Sequence, residues 1–191
     1  RDSLNEELFD QVFEKGTVKT EEEFRAKIAE SLQPQLEANS DYKFMIDVRT
    51  YCEQKVGEIT WPDALLKRIM LANNKDKGED FVEKNYAESI KQLEWHLIKE
   101  QLVKANDIKV EDADIKNAAK EMARMQFAQY GMSNVPEEYV DNYANELLKK
   151  REAVDNFVER AIDVKLAAAL KSTVSLNNKE VTLEEFNEMM K

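Results

Sequence analysis

Glycine, proline, cysteine and histidine are scarce in this 191-residue chain, which contains four, three, one and one of them. Such sparse turn chemistry argues against an all-β fold, whose many tight connections draw on Gly and Pro. A single cysteine excludes an internal disulfide framework and fits a reducing compartment. No apolar stretch approaches the roughly 20 residues that span a bilayer, and no signal peptide is visible. Basic clusters are missing too, the longest run being Lys149-Lys150-Arg151. With 28 Lys and Arg against 39 Asp and Glu, the net charge is −11. That balance excludes nucleic acid and anionic membrane as expected partners, because neutralising phosphates takes clustered cations. The sequence opens on Arg1 rather than Met, which reads as a piece of a longer protein.

The same scarcity removes most catalytic chemistry. His96 is the sole imidazole, and it falls on the polar side of its helical pattern beside Glu94 and Lys99. A zinc site needs several converging ligands, and a nucleophilic triad needs a base beside Ser or Cys, so no metal or catalytic residue is assigned. No two glycines lie close enough to make a phosphate-cradling loop, and no cofactor is expected. The carboxylate runs Glu21-Glu22-Glu23 and Glu111-Asp112-Ala113-Asp114 stand at expected helix starts, where negative charge favours the dipole.

Helix punctuation is what the chain does have. Gly16, Gly57, Gly78 and Gly131 each follow a helix-like run, and Pro62 and Pro136 each open one. Thr20 with Glu23, and Thr182 with Glu185, form two capping boxes. The pattern predicts helices over roughly 5–15, 21–57, 62–76, 79–106, 111–131, 136–172 and 183–190, about four fifths of the chain. Pro34 falls inside the second and predicts a kink or break. Residues 174–181 allow a short hairpin around Asn177-Asn178. The fold class is therefore all-α, and the long helices suggest an elongated multi-helix body with protruding helical arms.

Apolar periodicity divides these helices by role. Tyr86, Ile90, Leu93 and Leu97 form one stripe, and Trp95, Ile98 and Leu102 a second, so the helix over 79–106 is expected at the centre of the core. Phe44, Met45, Val48, Tyr51, Cys52 and Val56 share one side of a single-faced helix, where Cys52 reads as a packed small hydrophobe. Ile115, Ala118, Ala119, Met122 and Met125 make a stripe of small and flexible residues, with Phe127 and Tyr130 spreading beyond it. Two roles fit that composition: an ordinary core helix with Met filling gaps, or a Met-rich surface that re-packs around apolar partners.

In order along the chain stand Leu4-Asn5-Glu6-Glu7-Leu8-Phe9-Asp10-Gln11-Val12-Phe13, Thr20-Glu21-Glu22-Glu23-Phe24-Arg25 and Trp61-Pro62-Asp63-Ala64-Leu65-Leu66. Leu102-Val103-Lys104-Ala105-Asn106-Asp107-Ile108-Lys109-Val110 and Lys179-Glu180-Val181-Thr182-Leu183-Glu184-Glu185-Phe186 follow. Together they resemble the C-terminal domain of bacterial trigger factor over essentially the whole chain. The resemblance implies an ATP-independent, ribosome-associated chaperone domain of the cytoplasm, whose partners are unfolded or nascent polypeptides. It implies a single helical domain over 1–191 with arms at roughly 111–172. The family's ribosome-docking and FKBP-type prolyl isomerase domains are not visible, so ribosome contact is expected only through the missing N-terminal domain, and isomerase activity only in the full-length form. The family's body also receives a helix that is missing here, so weak self-association is expected. Adaptable apolar contacts along the arms make Met122, Met125, Phe127, Tyr130, Met132, Tyr139, Tyr143 and Phe157 the candidate client-binding residues. Two alternatives remain: the helical chaperone module of a periplasmic parvulin-type isomerase, and a helical scaffold for one folded partner.

Overall fold

A computed structural model describes residues 4–13, 15–132 and 135–190. Among them are eight helices and no strand, and 77% of these described residues are helical, which establishes the all-α class. The helices are α1 (Glu6–Val12), α2 (Glu21–Val56), α3 (Asp63–Asn73), α4 (Gly78–Ala105), α5 (Asp112–Gln129), α6 (Glu137–Leu148), α7 (Arg151–Thr173) and α8 (Leu183–Met189). Glu14, within the first expected helix, lies outside the described residues. Contacts divide the chain within α2 into a unit ending at Val48 and a unit from Arg49 to Met189.

The first unit closes on aromatic side chains. Phe9, Val18 and Phe24 are buried, with Phe13 and Ile28 packed around them. Phe9 stacks on Phe24 with ring centroids 4.6 Å apart, while Phe13 meets Phe24 edge-on at 5.6 Å. Asn5 Oδ1 accepts from the Leu8 N–H and starts α1. The capping box at the start of α2 is complete: Thr20 N–H donates to Glu23 Oε2 and Glu23 N–H to Thr20 Oγ1, each at 3.2 Å. These bonds, with one from Lys19 N–H as the largest influence, hold the Glu23 carboxyl below its ordinary value. Pro34 does not break α2. The surrounding residues are exposed, so the carbonyl one turn back that loses its partner faces water.

In the second unit the core is a three-helix bundle of α5, α6 and α7, in which every pair is in contact. Ala118, Ala119, Ala144 and Phe157 form its buried cluster, with Ile115, Met122, Leu147, Leu148 and Ala153 packed against it. This corrects the expected order of importance: α4 touches α3 and α7, but Val82 is its only buried residue, and its two stripes are half-buried or exposed. Tyr86 on α4 donates its hydroxyl to Asp63 Oδ1 at 2.6 Å, latching α3. Burial and that bond push the phenol up to about 12. Lys99 reaches Glu159 at 2.6 Å and Asp163 at 2.8 Å, latching α7.

Two more expectations are corrected here. The single helix over 136–172 is two, because α6 and α7 both pack on α5 and a straight rod cannot fold back on one neighbour. Lys149 N–H and Lys150 N–H close the turn on the Glu146 and Leu147 carbonyls, and Lys150 is extended at φ −91°, ψ 110°. The longest basic run is therefore a corner, and its first lysines sit at the negative end of α6. The 174–181 hairpin does not form, since no strand occurs there. The second capping box does: Thr182 N–H donates to Glu185 Oε2 at 2.8 Å and Glu185 N–H to Thr182 Oγ1 at 3.2 Å.

Candidate functional site

The α5–α6 pair is built on alanine, which sets how close the helices come. Ala118, Ala119 and Ala123 on α5 and Ala144 on α6 are buried beside Val140. Small side chains contribute little apolar area each, so charge aligns the seam. Arg124 Nη2 lies 2.9 Å from both Glu137 oxygens. Lys120 reaches Glu137 at 3.0 Å and Asp141 at 2.6 Å, and Lys116 approaches Asp141 at 3.7 Å. Partners descend on α5 as they ascend on α6, so the helices are antiparallel. Arg124 first, then Lys120, lowers the Glu137 carboxyl below its ordinary range, and Lys120 does the same for Asp141. Lys165 of α7 fixes the other end of α5, donating to Asp114 Oδ2 at 2.6 Å and to the Lys109 carbonyl at 2.7 Å.

The C-terminus of α5 is closed by a glycine in the left-handed region. Gly131 has φ 76°, its N–H donates to the Ala128 carbonyl, and Met132 N–H donates to the Phe127 carbonyl, both at 2.9 Å. This pair of bonds is a Schellman motif, and it ties the backbones of Phe127 and Met132 together. Phe127 packs against Tyr143 of α6 with centroids 5.5 Å apart, and the Tyr143 hydroxyl donates to Gln126 Oε1. An open groove of about 570 Å³ results, lined by Phe127, Tyr139, Asn142, Tyr143, Asn145, Glu146 and Lys149.

The eight candidate residues separate accordingly. Phe127, Tyr139 and Tyr143 share the groove, and Met132 is joined to it through Phe127. Tyr130 at the α5 cap is 80% exposed, and Tyr139 is 63% exposed. Met125 is exposed on the side of α5 facing α7, where Arg160 Nη2 lies 3.8 Å from its sulfur. Met122 is half-buried against the bundle core. Phe157 is a correction: at 4% exposure it is the largest member of the buried cluster and offers nothing to a partner in this conformation. Its stripe on α7 looks inward because α5 covers it.

Sequence reasoning missed the polar half of the groove. Tyr139 and Tyr143 are among the candidates, but Asn142 and Glu146, which complete their i, i+3, i+4 and i+7 stripe on α6, do not register because they are not apolar. A second open groove, of about 410 Å³, lies between α3 and α4 and includes Ile69, Met70, Phe81, Tyr86, Ile90 and Leu93. Cys52 is half-buried, and burial, then Glu53, pushes its thiol up, away from thiolate reactivity. Among the described residues no cluster of His, Cys, Asp or Glu could hold a metal ion, and no helix is long and apolar enough to cross a membrane.

Compared with known proteins, residues 40–190 match the family model described as probable trigger factor, C-terminal domain. No curated protein and no solved structure matches the chain.

Proposed function

Because the chain belongs to the trigger factor C-terminal domain family, a family of chaperone-type domains, we propose that it holds unfolded or nascent polypeptide without ATP. The reading places it in the cytoplasm as the chaperone part of a ribosome-associated trigger factor. Prolyl isomerisation then belongs to the full-length protein, and no catalytic step is assigned to these residues. The arm role falls to the α5–α6–α7 bundle, within 111–172.

The observation that supports this most is the end of the α5–α6 pair. Tyr130, Met132 and Tyr139 are exposed there beside an open groove floored by Phe127 and Tyr143. Such a surface fits holding more than selective recognition. It is shallow, so a client buries little area and leaves readily. Its aromatics contribute large contact area with few rotatable bonds, and the thioether of Met132 adapts to varied apolar shapes. The net charge of −11 keeps such a surface dispersed.

The test is suppression of aggregation of a chemically denatured, unrelated protein on dilution. Tyr130, Met132 and Tyr139 replaced together by Ser should weaken suppression while far-UV circular dichroism stays helical. Undiminished suppression would refute the assignment of the site. A single tight, saturable complex with one folded protein, without suppression, would favour the scaffold reading.

A further inference from the structure

The seam between α5 and α7 is tied unequally along its length. Near the start of α5, Lys165 Nζ reaches Asp114 Oδ2 at 2.6 Å, an ion pair. Toward the other end of α5 the tie is Arg160 Nη2 to the Met125 sulfur, at 3.8 Å. A thioether is a weak acceptor, so this contact holds little. The cations that join α5 to α6 do better, since Lys116, Lys120 and Arg124 each reach a carboxylate. Arg160 reaches none, and among the described residues the sulfur is its only hydrogen-bond acceptor. Met125 is 47% exposed, so a small solvent-borne reagent has access to that sulfur. Met132 and Met189 are comparably exposed, at 51% and 48%, yet no described donor bonds to their sulfurs.

We propose that Met125 is a site of reversible oxidation by hydroperoxides, and that its sulfoxide clips α5 to α7 through Arg160. Oxidation replaces a weak acceptor with a strongly polar S–O group, directly beside a guanidinium that carries a full charge. The gap has the right size. An S–O bond of about 1.5 Å and an N···O separation of about 2.8 Å together span 3.8 Å when the angle at oxygen is about 120°. A donor ordinarily approaches a lone pair at such an angle, so neither side chain has to move. Peroxide alone completes the chemistry. The sulfur lone pair attacks one oxygen of hydrogen peroxide, and the S–O bond forms as the O–O bond breaks. The proton on the attacked oxygen passes to the departing hydroxide, which leaves as water. Sulfur gives up the electron pair that peroxide accepts. The new centre is chiral, and the epimer whose oxygen faces Arg160 forms the clip. Oxidation of a buried Met disrupts its packing, whereas this half-exposed sulfur gains a bond to a partner it already faces. Peroxide therefore stiffens the bundle at the end of α5 that carries Phe127, and methionine sulfoxide reductases release it.

The experiment compares thermal midpoints before and after treatment with hydrogen peroxide, with peptide mass spectrometry reading the oxidation of each Met. The proteins compared are wild type, Met125→Leu, Arg160→Leu and the double variant. Both positions are exposed, so each variant should fold as wild type does. The effect of the Met125 sulfoxide is the change in wild type less the change in Met125→Leu, which removes the contributions of Cys52 and the other methionines. It should be a gain of about 2 °C, the size of one modest hydrogen bond in a chain of this length. In the Arg160→Leu background the same difference should be zero or negative. Methionine sulfoxide reductases should abolish the gain in wild type. Equal differences in the two backgrounds, or a loss in the wild-type background, overturn the clip. Met125 left reduced at a dose that oxidises Met132 and Met189 overturns the site itself.

Discussion

Phe157→Ala tests whether the bundle core is correctly placed, and its magnitude follows from the packing. Phe157 is 4% exposed and is surrounded by Ala118, Ala119 and Ala144, with Ile115, Met122, Leu147 and Leu148 behind them. Truncation returns about 120 Å² of apolar contact, worth about 3 kcal/mol at about 25 cal/mol per Å². Methyl side chains are too short to move into the space, so a cavity persists. At about 24 cal/mol per Å³, a residual void of about 60 Å³ adds about 1.5 kcal/mol. The total, about 4–5 kcal/mol, is a large fraction of the stability of an ordinary domain. Urea denaturation followed by far-UV circular dichroism measures it, with amide exchange on α5 as the local readout. Val164→Ala is the control on the same helix: Val164 is 64% exposed, and its truncation should change stability by about 0.5 kcal/mol or less. A Phe157→Ala cost below about 1 kcal/mol, or equal to the control, would refute the packing argument and reopen Phe157 as a surface residue.

Asp107→Gly should stabilise the protein by about 1 kcal/mol, because Asp107 is held at φ 48° where a Cβ is strained. It occupies the glycine position of a second Schellman motif, in which Ile108 N–H donates to the Val103 carbonyl at 3.0 Å. The Lys109 ion pair lost with it is fully solvated, so a lower thermal midpoint would contradict the strain argument. Acid should loosen the α5–α6 seam in a defined direction. Glu137 and Asp141 have carboxyl groups lowered in the folded state, so the stability they contribute is complete above the unfolded value of roughly 4. It is lost as pH falls through the lower folded values. Lys120→Met should flatten the decline of the urea midpoint between about pH 4 and pH 2. An equally steep decline in that variant would show that the seam is not the titrating element.

What the sequence made legible depended on signals that are local. Both threonine capping boxes and the left-handed glycines are settled by neighbours within one turn, and they stand as read. The α6–α7 corner was not legible, because Leu148-Lys149-Lys150-Arg151 contains no breaker and the turn arises from docking on α5. Pro34 misled in the opposite sense: a strong local breaker stood in an exposed segment where water replaces the missing partner. At the candidate site, periodicity found the aromatics but not their facing. Nothing in the spacing distinguishes Phe157, covered by α5, from Tyr139, which is not.

The pairing of helices that are neighbours in sequence has a consequence for how the protein is made. α3 with α4, α5 with α6 and α6 with α7 pair across short turns, while α5 with α7 closes across the whole of α6. Short loops lose little entropy on closure, and helical domains of this kind fold in microseconds to milliseconds. Synthesis proceeds at roughly 5–20 residues per second, so each hairpin can form before the next helix has been translated. A protein proposed to shelter unfinished chains would then spend almost none of its own synthesis as one.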